Sequence, residues 1–260
     1  MLPEERRDQI ARRVAAQGAV SVAELSRLFG VAEETIRRDL KALENAGVLR
    51  RIHGGALRAP GAPFRAAPAA ERLGQNHELK EAIARAALDL VQEGDTILLD
   101  SGTTTLTLAK LLTQKRELVV VTHSLRIATQ LAEAPHLSVN VLGGNLRPQE
   151  LALVGPDTLR ALERIRVDKA FMACAGLDVE HGATVSDVLE ADVKRAMIRS
   201  ADQVILLADH TKWERRSLVA YARLDQFTAL VSDANLSPLV QELVKSAGVD
   251  VIIGEIHMEG

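Results

Sequence analysis

The sequence predicts an α/β protein in two unequal parts, an N-terminal winged helix-turn-helix followed by a larger Rossmann-like α/β domain. Three observations carry this. Residues 4–57 hold three short amphipathic stretches and then two extended basic pieces around a Gly pair. Residues 58–73 gather three of the eight prolines, Pro60, Pro63 and Pro68, in the Ala-rich run RAPGAPFRAAPAA, which cannot sustain a helix. From residue 78 helical stretches alternate with short β-branched runs, the pattern of a parallel sheet covered on both faces. The expected limits are 1–57 for the first module, 58–73 for a linker and 74–260 for the second module.

In the first module a helix over 4–17 turns Ile10 and Val14 inward. SVAELSRLFG follows as a second helix, with Ser21 as N-cap, Glu24 in the capping-box position and Leu25, Leu28 and Phe29 on the apolar side, and Gly30 supplies the turn. In EETIRRDLKALENAG, Ile36, Leu40 and Leu43 recur at helical spacing and Gly47 stands as the stop, while Glu34, Arg37, Arg38, Lys41 and Asn45 share the other face. Ala32 falls at the N-cap of this helix, where Ser, Thr, Asp or Asn is better by about 1 kcal/mol; Glu33 and Glu34 offset that through the helix dipole. VLRRIHGGALR then suits a hairpin wing.

In such a module the second helix of the motif enters the major groove of double-stranded DNA. Thr35, Arg37, Arg38 and Lys41 on the helix and Arg50, Arg51 and His53 on the wing are the candidate DNA contacts. Residues 1–58 carry 11 basic side chains against 8 acidic ones, leaving 21 basic and 27 acidic for the remainder, so a basic module precedes an acidic one. Between residues 35 and 58 the balance is six basic to two acidic, which favours phosphate contact over a merely solvated helix face.

Other classes fall away on composition. With 47% hydrophobic and 26% charged residues the chain is an ordinary globular protein, and six aromatic side chains are too few for a base-stacking platform. One Cys excludes a disulfide framework, and seven dispersed His without an H-x-x-x-H pair give no metal expectation. Cys174 sits in an apolar strand without a base partner, as a small buried residue does. Neither a P-loop GKS or GKT element nor G-x-G-x-x-G occurs, so no nucleotide cofactor is expected. MLPEERRDQIARR has no apolar signal core, and no run approaches the roughly 18 apolar residues of a membrane span, so the expected location is the cytoplasm, away from membranes.

In the second module the strand ends are the places to inspect, because ligands of open α/β sheets gather at the carboxyl edge. TILLD runs into Asp100, Ser101, Gly102, Thr103, Thr104 and Thr105 and then a helix, offering N–H groups, hydroxyls and a positive dipole end to a phosphate; capping alone accounts for one Thr but not three. Thr122, His123 and Ser124 end VVVT, and Gly143, Gly144 and Arg147 follow NVL, Arg147 being either an anion ligand or a surface salt bridge. Asp168 and Lys169 precede the strand AFMACAG, and Gly176 closes it. Glu190 and Lys194 stand at i, i+4 and can simply support their helix, and Asp209 and Lys212 follow QVILL.

TIRRDLKALENAGVLRRIHGGA is similar to the signature region of the DeoR family of bacterial transcriptional repressors, a resemblance that runs from about residue 4 to about residue 255. DSGTTT, VVTHS, VLGGNLR, DKAF, EADVKRAMI and LADHTKW resemble successive motifs of that family's C-terminal domain. The family commonly has Ser where Ala32 stands, Asn in place of His123, and Ser in place of Ala152. The resemblance implies a C-terminal fold related to ribose-5-phosphate isomerase and glucosamine-6-phosphate deaminase. It implies a phosphorylated sugar as effector, bound by Asp100, Gly102, Thr103, Thr104, Thr105, Gly143, Gly144, Arg147, Glu190, Lys194, Asp209 and Lys212. The expected activity is repression of a carbohydrate catabolic operon by a homo-oligomer, dimer or tetramer, released from its operator by the effector. The alternative is a sugar-phosphate isomerase or deaminase carrying a DNA-binding module, and fold kinship alone does not establish catalysis.

Overall fold

The computed structural model describes residues 2–17, 19–59 and 69–255. The first module runs α1 (Pro3–Gln17), β1 (Ala19–Ser21), α2 (Val22–Phe29), α3 (Glu33–Asn45), β2 (Leu49–Ile52) and β3 (Gly55–Arg58). Ile10, Val14, Leu25, Ile36, Leu40, Leu43 and Leu49 close its core, as the helical periodicity predicts. Ser21 caps α2 by accepting from Glu24 N at 3.1 Å. The return bond that would complete a capping box is not formed among the described residues, and the backbone of Ser21 instead pairs with Gly55. Gly30 and Gly47 end α2 and α3 with φ of +63° and +70°, the left-handed conformation that a side chain resists. α3 starts at Ala32 without a side-chain cap.

The three-residue β1 was too short to show a period of two. It turns the expected hairpin wing into a three-stranded antiparallel sheet, ordered β1-β3-β2. Asp39, on the inner side of α3, accepts from Arg6 Nε at 2.6 Å and Arg7 Nε at 2.9 Å, so α1 is bolted to α3 by a buried charge cluster. Two of the basic residues counted toward the module's charge are thereby spent internally.

Residues 60–68, which hold Pro60, Pro63 and Pro68, lie outside the described residues. Both ends of the linker expected over 58–73 carry regular structure. Arg58 ends β3, and α4 (Ala69–Leu73) forms beyond the last proline, where five helix-compatible residues follow and Ala69 is buried.

The second module continues with α5 (His77–Leu88), β4 (Thr96–Leu99), α6 (Thr103–Leu112), β5 (Val119–Thr122), α7 (Leu125–Leu131), β6 (Ser138–Val141), β7 (Asn145–Arg147), β8 (Ala152–Val154) and α8 (Pro156–Glu163). β9 (Val167–Ala173), β10 (Gly176–Asp178), β11 (Gly182–Val185), α9 (Val188–Arg199), β12 (Ala201–Leu207), β13 (Val219–Ala222), β14 (Ala229–Asp233), α10 (Pro238–Ser246) and β15 (Asp250–Gly254) complete it. Among the described residues these build a seven-stranded parallel sheet in the order β15-β14-β12-β9-β4-β5-β6.

Strand alternation divides the apolar residues between the two faces. Ile97, Leu99, Phe171, Ile205 and Val231 meet α5, α6 and α7, whereas Leu98, Met172, Leu206 and Leu230 meet α8, α9 and α10. Two antiparallel additions were not expected, the β7–β8 hairpin and the β10-β11-β13 sheet; each strand is three or four residues long, and the two border the carboxyl edge. Among the described residues no helix is long and apolar enough to cross a membrane.

The two modules touch. Ala19, Leu57 and Ile52 join the larger core cluster, and a Cβ on Gly55 would stand 2.2 Å from Val20 O and 2.7 Å from Leu239 Cδ2 of α10, so that position tolerates nothing but Gly. α1 also packs on the 3-10 turn His210–Lys212.

Replacing Asp39 strands the buried Arg6 guanidinium. Asp39→Ala is expected to lower the unfolding free energy by about 3 kcal/mol. Asp8→Ala, which removes the exposed partner of Arg12, is expected to cost under about 0.5 kcal/mol. Urea unfolding of the full chain measures both, and equal losses would show that the buried cluster does not hold α1 to α3.

Candidate functional site

Two surfaces concentrate the sequence-predicted residues. On the first module Arg37, Arg38 and Lys41 are exposed along α3, and Thr35 is half-buried near its start. Arg37 is held by Glu33 at 2.6 Å and Arg38 faces Glu34 at 3.8 Å, exposed pairs that hold weakly and can exchange for phosphate. Arg51 and His53 are exposed on the wing, with Arg51 4.0 Å from Glu44 of α3.

Arg50 departs from this face. Alternation along β2 points it with Ile52 toward the second module, where it stands 3.8 Å from Glu180, so it does not share the face that carries Arg51.

The second surface is a cleft of two adjoining lobes at the carboxyl edge of the parallel sheet. One lobe is lined by Thr103, Thr104, Asp209, Lys212 and Lys80 among others, and the other by Ser101, Gly102, Glu150, Ser186, Glu190 and Lys194. Arg72, Ala173 and Cys174 border both. Among the expected effector residues, then, Gly102, Thr103, Thr104, Glu190, Lys194, Asp209 and Lys212 line it. Gly102 is compelled by packing, since a Cβ there would lie 2.4 Å from that of Ala173.

Asp100 lies beneath the cleft, fully buried at the end of β4. Its Oδ1 accepts from Ser101 N at 2.8 Å and stands 3.3 Å from His123 Nε2, while Oδ2 accepts from Ala173 N at 2.8 Å and from the Lys194 ammonium. Lys194 also donates to Ala173 O at 3.0 Å and stands 5.3 Å from the Tyr221 ring centroid. Burial by itself drives the Asp100 carboxyl up; the Lys194 ammonium and His123 outweigh it and hold the group well below the ordinary carboxylate range. For Lys194 burial disfavours the charge, and Asp100 and Glu190 overcome that, so its pKa is raised.

Thr105 donates to Asp100 O at 2.6 Å and Thr122 to Leu99 O at 2.8 Å. Ser124 caps α7, and His123 Nδ1 lies 2.9 Å from Leu153 O. These buried groups are committed to holding the cleft floor rather than to lining it.

Other expected residues stand elsewhere. Asp168 and Lys169 are corrected outright. They begin β9, so a parallel sheet carries them to the edge opposite the cleft, where Asp168 accepts from Thr96 N at 2.7 Å and Lys169 pairs with Asp95 at 2.6 Å. Gly143 and Gly144 pack against α8 and β8. Thr158 donates to Gly143 O at 2.6 Å, and a Cβ on Gly144 would stand 2.1 Å from Thr158 Oγ1, so close backbone approach serves the hairpin and not a ligand. Arg147 stands at the rim, paired with Glu190 at 2.9 Å and Asp187 at 3.7 Å. Gly176 lies behind, its Cβ position 2.2 Å from Arg215 O.

Sequence reasoning missed Arg72, Lys80 and Glu150. Lys80 is buried on α5 and donates to Arg72 O; burial pushes its pKa down, Asp209 opposes this, and Lys212 and Arg72 add to it. The Lys212 ammonium makes no hydrogen bond or ion pair among the described residues, and Asp209 is engaged by Thr211. Three basic side chains, of which Arg72 is paired with Glu150, and the N-terminus of α6 therefore border one lobe whose lining holds a single carboxylate, Asp209, a balance that favours an anion over a cation. Lys80 sits in ELKEAIARAALDLV, where periodicity announces a helix but not which cation faces a cleft.

The model of the DeoR-like helix-turn-helix domain matches residues 6–60, and that of the DeoR C terminal sensor domain matches residues 75–234. The chain is 37% identical over 258 residues to the HTH-type transcriptional regulator GlpR of Haloferax volcanii, covering 98% of this chain and 99% of that one. It is 33% identical over 250 residues to the putative aga operon transcriptional repressor of Escherichia coli O157:H7, covering 96% and 93%. A solved D-ribose-5-phosphate isomerase in complex with phospho-erythronic acid superposes with a TM-score of 0.40 at 18% identity, over 53% of this chain and 54% of that one, too loosely to bear on fold or function.

Burial at the cleft floor pushes the Cys174 thiol up to about 12. The native chain is expected to resist iodoacetamide at mildly alkaline pH and to be alkylated once unfolded in guanidinium, as intact mass shows. Rapid alkylation of the folded chain would mean the thiol is neither buried nor protonated as described.

Proposed function

The chain belongs to the DeoR family of transcriptional regulators, and from that premise we propose that it is a repressor of a carbohydrate catabolic operon, released from its operator by a phosphorylated sugar or sugar derivative. Its relatives are named as regulators and repressors, which supports a regulator over a sugar-phosphate isomerase or deaminase. The observation that carries the effector class is the lobe in which Thr103 and Thr104 open α6 opposite Lys80, Lys212 and Arg72. A phosphate there accepts from hydroxyls and helix N–H groups while the cations balance its charge. Ser101, Ser186 and Glu190 in the adjoining lobe suit the hydroxyls of a sugar.

On the DNA side, α3 presents Arg37, Arg38 and Lys41 to phosphates, and Arg51 and His53 of the wing reach the flanking backbone. A homo-oligomer, dimer or tetramer, places two such modules on a symmetric operator. Effector binding shifts the population to an arrangement in which the recognition helices no longer match the half-site spacing.

Fluorescence anisotropy against DNA from upstream of its own gene, with a panel of phosphorylated sugars and their unphosphorylated counterparts, tests the whole proposal. Release by a phosphosugar and not by its parent sugar is expected; indifference to every compound would sink the effector class. Arg38→Ala is expected to weaken operator binding and to reduce the slope of log affinity against log salt by about 0.9, one phosphate contact. An unchanged slope removes Arg38 from the interface. Thr104→Val combined with Lys212→Ala is expected to abolish the response while DNA binding persists, and a normal response from that variant would place the effector elsewhere.

A further inference from the structure

Arg72 of α4 borders both lobes, together with Ala173 and Cys174. Its Nη2 donates to Glu150 Oε2 at 2.7 Å, and Glu150 belongs to the loop of the β7–β8 hairpin and lines only the second lobe. Both side chains keep some exposure, 18% and 15%, so the pair is reachable from the cleft. In the first lobe, whose balance favours an anion, Lys80 donates to the Arg72 carbonyl and so fixes α4 against α5. A guanidinium offers planar pairs of N–H donors that fit a carboxylate and a phosphate alike, and a phosphate dianion carries the larger charge. Glu150 engages Nη2, so a turn of the Nη1–Nη2 edge toward an anion in the first lobe draws that donor away from the carboxylate.

We propose that Arg72 is an effector-contacting residue that changes partners, held by Glu150 before the effector binds and turned to the effector's anionic group afterwards. The inference rests on the phosphorylated-effector proposal above and adds a residue and an exchange that it does not contain. Glu150 acts as an internal competitor that sets the affinity for the anion. Its release also frees the β7–β8 loop from α4, the first described element after the wing.

Calorimetric titration of the full chain with inorganic phosphate tests this, with Thr104→Val marking the site and thermal melts confirming that each variant is folded. Arg72→Gln is expected to weaken phosphate binding about tenfold, the factor for one lost charge-assisted contact. Glu150→Gln is expected to tighten it about fivefold by removing the competitor, and to give no gain in an Arg72→Gln background. Should Arg72→Gln not fold, Glu190→Gln, which neutralises a carboxylate of the same lobe that pairs with Arg147 rather than Arg72, is the control: a gain confined to Glu150→Gln supports the exchange, and an equal gain from both is simple charge removal and overturns it. Phosphate binding weakened by Thr104→Val but unmoved by Glu150→Gln would overturn the exchange and leave the anion lobe intact. Binding insensitive to Thr104→Val, or absent from the unaltered chain, would overturn both.

Discussion

The Asp100–Lys194 pair is the constraint around which the second module is arranged. A carboxylate and an ammonium with side-chain exposures of 0% and 2% survive in an apolar sheet only if every lone pair and proton is occupied. Asp100 meets that demand by drawing in the Ser101 and Ala173 amides and His123, and Lys194 by reaching the Ala173 carbonyl. The end of β4, the end of β9, the residue after β5 and the middle of α9 must therefore converge on one point. A buried pair of this kind adds little net stability over apolar residues of the same size. Its effect is on geometry, since both charges are satisfied where these strand ends and α9 meet.

That convergence makes the cleft. With Asp100 pulled inward, Gly102 packs on Ala173 and α6 begins at the carboxyl edge, where Thr103 and Thr104 line the lobe. The negative charge that would repel an anion is cancelled below the floor by Lys194, while Lys80, Lys212 and Arg72 stand above it. The same economy operates in the first module. Asp39 consumes Arg6 and Arg7 inside the fold, leaving the exposed positive charge of α3 to Arg37, Arg38 and Lys41.

Much of this was legible in the sequence because it is periodic or terminal. Helical spacing of Ile36, Leu40 and Leu43, the β-branched runs, and the turn residues Gly30 and Gly47 announce elements locally, and strand ends in a parallel sheet announce the edge where a site forms. What escaped was whatever depends on direction or on loops. DKAF straddles the beginning of β9, so motif adjacency put Asp168 and Lys169 at the site when parallel topology puts them at the other edge. Arg50 and Arg51 are neighbours in sequence and opposite in facing. Arg72 and Glu150 lie 78 residues apart on a five-residue helix and a hairpin loop, neither long enough to carry a period, and no spacing rule joins them.

The reader and the sensor are not independent bodies joined by a tether. Leu57 and Ala19 of the wing sheet are fully buried in the core cluster that also holds Val240 and Val244 of α10, and Gly55 admits no side chain because β1 and Leu239 press on it. α1, bolted to the recognition helix through Asp39, rests on the turn that carries Lys212 into the cleft. Close-packed interiors shift between discrete arrangements rather than deforming smoothly. The turn that carries Lys212 thus lies against a helix that Asp39 ties to α3.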